Sequence, residues 1–135
     1  MDETEFERRT RALGTSVIKL CDDLPPGRAT DVLARQVIRS STSVGANYRA
    51  SCRGRSLSEI IAKLSIVDEE ADETAYWLEV IADAVLAPKA SVEPLIDETI
   101  KLLRMTVASK KTLKSRAGVR GFAAASNSSI ANRES

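Results

Sequence analysis

Two carboxylate pairs one helical turn apart, Asp68 with Asp72 and Glu69 with Glu73, are the side chains best spaced for chemistry in this sequence. Positions i and i+4 of a helix share a face, so each pair can offer two oxygen ligands to a hard cation. A di-metal site in a helical bundle normally adds Glu-x-x-His motifs. The chain has no histidine. That removes the commonest metal ligand and general base, and no Ser-His or Cys-His nucleophile can be built within one chain. Cys52 stands near Arg49, Arg53 and Arg55, cations that can lower a thiol pKa. Without a partner base its expected role is a packed structural thiol. The expectation is a non-enzymatic protein without metal or cofactor.

The arginines form a clearer pattern. Positions 35, 39, 42, 46, 49 and 53 share one helical face and hold Arg35, Arg39, Thr42, Ala46, Arg49 and Arg53, with Arg55 continuing the charge. Two arginine pairs around a small-residue gap suit a phosphate backbone. They also suit ion pairs with Asp68, Glu69, Glu70, Asp72 and Glu73 on a neighbouring helix, the commoner fate of a charge stripe on a bundle, and both readings stand. The formal net charge is only +1, but residues 1–92 carry −3 and residues 93–135 carry +4. Lys110, Lys111, Lys114 and Arg116 therefore join the five arginines as the candidate surface for RNA or DNA. Tyr76 and Trp77 flank Leu78, which supplies the inward position. The two aromatics are read as an anchor for another subunit.

Four helices must position these groups. Thr4 with Glu7 reads as a capping box, followed by Phe6, Thr10, Leu13, Val17, Leu20 and Leu24 on one face. Pro25, Pro26 and Gly27 end that helix. The second helix is expected from about Thr30 to Arg53, with Gly54 as a left-handed stop. Ser56 and Glu59 suggest a second capping box and open a third helix. Its stripe is Leu57, Ile60, Leu64, Val67, Ala71, Thr74, Leu78, Ile81 and Val85. Ala87 and Pro88 break it, Ser91 is expected to cap a fourth helix, and Glu93 and Pro94 suit its first turn. The stretch from Arg116 loses periodicity, so residues 1–115 form the predicted domain and 116–135 a disordered tail. Short breaks between four helices imply an all-α, antiparallel up-and-down four-helix bundle. Aromatic residues make up only 4% of the chain, so its core must be aliphatic.

Within the second helix, RSSTSVGAN (residues 39–47) is a run of poor helix formers. A phosphate loop is excluded, since Gly45 is followed by ANYRASC without the required lysine or a preceding strand. Close packing must offset the weak propensity, with Gly45 admitting a neighbour and serines bonding back to the backbone. Asn47 would then set register between helices. MDETEFERRT is no signal or transit peptide, and no apolar run approaches the roughly 20 residues of a membrane span. With Cys21 and Cys52 outside any motif spacing, a cytoplasmic protein with reduced thiols is expected.

Gln36, the RSSTSVGAN run, the Ser56/Glu59 start and EEADETAYWLE (residues 69–79) together carry a resemblance. Residues 36–81 resemble bacterial four-helix bundle proteins once named for open reading frames in 23S ribosomal RNA intervening sequences. The resemblance implies a left-handed bundle assembling as a ring-like homopentamer, with no established enzymatic activity. It also implies kinship with the accessory variability determinants of diversity-generating retroelements, which partner a reverse transcriptase and its RNA. Where many relatives carry a glutamate-glycine pair after the asparagine, this chain has Tyr48-Arg49-Ala50-Ser51, a basic surface instead.

Overall fold

The computed structural model describes residues 2–127, with side chains as far as Arg116. It contains α1 (Glu3–Asp22), α2 (Arg28–Ser51), α3 (Leu57–Asp83) and α4 (Lys89–Asn127), and no strand among the described residues. Consecutive helices pack on one another and α1 also meets α4, which closes a four-helix bundle. The middles of the stripes predicted on α1 and α3 enter the core, where Val37 and Val44 of α2 and Val92 of α4, outside any predicted stripe, join them. Leu13, Val17, Val37, Val44, Val67, Ala71, Leu78, Ile81, Val92 and Leu102 interlock there.

Helix ends depart from expectation in four places. Asp2, not Thr4, caps α1, its carboxylate accepting from the Glu5 amide at 2.8 Å. Thr4 already lies inside the helix, where it cannot cap. Gly54 has no positive φ. A Cβ there would stand 2.5 Å from Ile60 Cγ1, so glycine is needed to admit the start of α3. Ser56 does cap α3, accepting from the Glu59 amide at 3.1 Å, while the Glu59 carboxylate reaches one residue further back to the Arg55 amide. Finally, α4 begins at Lys89, with Pro88 rather than Ser91 accepting the first bonds. Pro94 therefore sits inside the helix, where its missing N–H leaves one carbonyl without its usual donor.

The third helix ends in a Schellman turn. The Leu86 amide donates to the Ile81 carbonyl (3.1 Å) and the Val85 amide to the Ala82 carbonyl (3.0 Å). Val85, expected at the end of the buried stripe, occupies the left-handed position with φ 57° and is exposed. At the other boundary, α4 continues beyond Arg116 to Asn127. No proline follows Pro94, and alanine-rich sequence lets a helix propagate. The rest of the predicted tail, residues 128–135, lies outside the described residues.

The weak stretch of α2 is packed as its composition requires. A Cβ at Gly45 would lie 3.3 Å from the backbone of Thr10, and one at Gly14 would lie 3.1 Å from Thr42 Cγ2. Two glycines thus bring α1 and α2 together at neighbouring levels. Ser41, Thr42 and Ser51 bond back to carbonyls of their own helix. Asn47 does not set register between helices; its amide donates to the Ser43 carbonyl and hydroxyl within α2, both at 2.9 Å. That role falls to Ser40 and Thr74, fully buried on α2 and α3, whose hydroxyls share a hydrogen bond of 2.9 Å. Buried Thr10, Thr99 and Thr106 satisfy their hydroxyls on their own helices.

Candidate nucleic-acid interface

Every seam between neighbouring helices carries an ion pair, and these pairs decide which cations remain available. Arg9 on α1 grips Glu98 on α4 with two guanidinium bonds, at 2.8 and 2.6 Å. Arg39 on α2 meets Glu70 and Glu73 on α3, and Arg49 faces Glu7 on α1 at 3.8 Å. On α4, Lys110 joins Asp68 of α3 at 2.6 Å and donates to the Ser65 hydroxyl.

The candidate surface is thereby divided. Lys110 is largely buried and turned into the α3–α4 seam, because its long stem can carry the ammonium to a carboxylate within reach of the core. Arg39 is spent between α2 and α3. The α2 face expected from the arginine spacing forms from Arg35 through Arg39, Thr42 and Ala46 to Arg49, all exposed, but the helix ends at Ser51 rather than Arg53, which lies exposed in the following turn. Arg35, Arg53, Arg55, Lys111, Lys114 and Arg116 are exposed and make no side-chain ion pair among the described residues.

Five of these six gather at one end of the bundle. Arg53 and Arg55 lie in the turn from α2 to α3, and Lys111, Lys114 and Arg116 lie on α4. Of these five, Arg116 lines an open groove of about 520 Å³ together with Cys52, Ile60, Leu64 and Leu113. Glu3 at the start of α1 contributes the carboxylate in that lining. The Cys52 thiol is raised, first by burial, despite the arginines near it in sequence. Its low-pKa alternative is thus overturned. Tyr48 beside it is also raised, by burial and by its hydrogen bond with Cys52, and its ring packs on Phe6 at 4.5 Å.

The paired carboxylates do not converge on a cation site. Glu73 is held by Arg39 and Asp68 by Lys110, so each pair has one member committed to an internal cation. Among the described residues no group of three or more Cys, Asp or Glu side chains is placed to hold a metal ion. Glu73 also accepts from the Trp77 indole at 3.0 Å. That bond, followed by Arg39, holds its carboxyl below the ordinary value of 4.5 against the opposing effect of burial. The two aromatics consequently have different environments. Trp77 is half-buried against the core, whereas Tyr76 stands exposed with its ring edge-on to Trp77 at 5.0 Å.

Sequence spacing located the arginine face and offered Glu70 and Glu73 among its acidic partners, which Arg39 meets, but not Glu7, which faces Arg49. It also missed Arg9 and Glu98, 89 positions apart, for which no local pattern exists. Gly14 was missed too, although a glycine amid a predicted helix signals either a break or a close contact. No described helix is long and apolar enough to cross a membrane.

Among solved structures, one from Bacteroides thetaiotaomicron is similar over most of the bundle. It is a protein of unknown function from the S23 ribosomal protein family, 25% identical, with a TM-score of 0.76. The alignment covers 82% of this chain and 99% of that one. No curated protein matches. Residues 2–108 match the family described as 23S rRNA-intervening sequence protein; they cover α1, α2, α3 and the first half of α4, and Lys110, Lys111, Lys114 and Arg116 lie beyond them. The chain belongs to the 23S rRNA-intervening sequence protein family.

Proposed function

We propose that this protein is a non-enzymatic, homo-oligomeric accessory factor that binds RNA or DNA through the cationic end of its bundle. The observation that carries this reading is the gathering of Arg53, Arg55, Lys111, Lys114 and Arg116, none ion-paired among the described residues, at one end of the bundle, where Arg116 lines a groove. Cations already spent on carboxylates have little to offer a phosphate, so the contact surface excludes Arg39 and Lys110. The architecture in this proposal is an antiparallel up-and-down, left-handed bundle that closes into a ring-like homopentamer in the cytoplasm. The facing of Gly45 with Thr10 and of Gly14 with Thr42 supports the antiparallel course of α1 and α2. The family name supports an RNA context, and a nucleic-acid-processing protein such as a reverse transcriptase is a further partner in the proposal.

The reading is tested by measuring RNA and DNA affinity across a salt series. Each phosphate contact removed should reduce the slope of log affinity against log salt by about 0.9 for duplex DNA and about 0.7 for single strands. Arg53→Ala with Arg55→Ala is expected to make the slope shallower by one to two such steps, while Lys110→Met leaves it unchanged. Absence of binding even at low salt would sink the nucleic-acid part.

A second reading, a pure protein–protein scaffold, is favoured by Arg39 and Arg49, which already face carboxylates of this chain. Under it, Arg49→Ala with Arg53→Ala weakens assembly and has no effect on RNA.

A further inference from the structure

The outward face of α3 is built at a cost that the isolated chain does not recover. Glu69, Asp72, Tyr76, Glu79 and Asp83 follow one another in steps of three and four, and all are exposed. None of the four carboxylates forms an ion pair among the described residues. Like charges three or four positions apart disfavour a helix. Acidic side chains near its C-terminus also oppose the helix dipole, and α3 has no basic residue in its last turn. Tyr76, 55% exposed, stands in the middle of this stripe.

A complementary surface lies on another side of the same bundle. Gly14, Thr42, Gly45 and Ala46 line a groove of about 210 Å³ along α1 and α2, where small residues let the two helices approach closely. Arg11 and Arg49 line it, together with Ile18, a large aliphatic side chain left 41% exposed. Arg11 has no ion pair among the described residues, and Arg49 only the long contact to Glu7. The groove therefore offers a small-residue floor with two lightly engaged cations and one carboxylate, Glu7, at 3.8 Å from Arg49. The α3 face offers an aromatic knob with a carboxylate one turn to either side.

We infer that Tyr76 of one copy inserts into the α1–α2 groove of a second copy, with Asp72 and Glu79 facing Arg11 and Arg49. The inference rests on the homo-oligomeric reading above and assigns its surfaces. Knob and groove lie on different faces of one chain, so the contact is head-to-tail. Repetition of such a contact closes a ring when the rotation allows and builds a filament when it does not. The contact also uses Arg49 for assembly, leaving the cations at the end of the bundle for other partners.

The test is light scattering of the full chain and three variants, over a protein concentration series. Asp72→Arg with Glu79→Arg should raise the dissociation constant of the assembly by about tenfold or more, since like charges then meet across the contact. Adding Arg11→Glu and Arg49→Glu to that chain restores opposite charges and should recover most of the lost association. Tyr76→Ser, an exposed substitution that leaves the core intact, should weaken assembly without altering the helical circular dichroism. It keeps the test valid should a charge-reversed chain fail to fold. An assembled wild type whose Tyr76→Ser and reversed-stripe variants associate equally well would overturn this contact and leave the homo-oligomer standing. So would a four-residue swap that folds but fails to restore association. A wild type that stays monomeric at every concentration would overturn both.

Discussion

Val85 holds a left-handed φ of 57° with a β-branched side chain, the arrangement that a helix-terminating turn normally gives to glycine. Its side chain is 83% exposed and makes no packing that would recover the strain. Val85→Gly should relieve about 1–2 kcal/mol of steric cost, against about 0.4–1 kcal/mol of added freedom in the unfolded chain. The expected net gain is about 0.5–1 kcal/mol, seen as a melting temperature roughly 2–4 °C higher. Glu73 acts in the opposite sense, because it is stabilised as a carboxylate by the Trp77 indole and Arg39. Its folded pKa lies below 4.5, so its contribution is fully present above that value and is lost as pH falls through the folded pKa. In denaturant titrations, Glu73→Gln should lose less stability than wild type on acidification below pH 4.5. Equal acid sensitivity of the two chains would refute this assignment.

Between helices, the consequential pair is Asp68 with Lys110. Both side chains are more than four-fifths buried, and Asp68 Oδ1 has no hydrogen-bond partner. Removing the ammonium leaves a shielded carboxylate with nothing to balance it. Lys110→Ala should cost about 3 kcal/mol in chemical denaturation, whereas Asp68→Leu with Lys110→Met should be close to neutral. A surface-like loss below about 1 kcal/mol for the single change would contradict the seam assignment. This element was legible in part. The stripe from Leu64 to Ile81 was plain because burial on one side imposes helical spacing on apolar residues. The acidic side chains that meet Arg39 were legible too, but the Asp68–Lys110 pair was not, since a lysine destined for a seam and one destined for solvent have the same local surroundings in sequence. The glycines were half legible. Gly45 read correctly as a point of close approach, but Gly54 was given a left-handed turn when a neighbouring isoleucine was the reason. Asn47 was the most conspicuous polar candidate for fixing register, yet a serine and a threonine fill that role because their short side chains fit between helices.

At the scale of the whole molecule, the fold class followed from four amphipathic segments separated by Pro and Gly breaks, and the structure has those four helices. The placement of charge did not follow from the breaks. Ion pairs in every seam and a set of unpaired cations at one end emerge only when the bundle closes. A last feature concerns temperature. Thr10, Ser40, Ser41, Thr74, Thr99 and Thr106 place hydroxyls on all four helices inside a core otherwise made of aliphatic side chains and Phe6. Exposing apolar surface raises the heat capacity of unfolding, while exposing polar surface lowers it. A core interrupted by so many hydroxyls should therefore unfold with a heat-capacity increment below the typical figure of about 12 cal/mol/K per residue. Scanning calorimetry would measure it directly, and an increment at or above that figure would contradict the expectation. The corresponding stability curve is broad and shallow, so the bundle keeps a similar margin in the cold as in the warm.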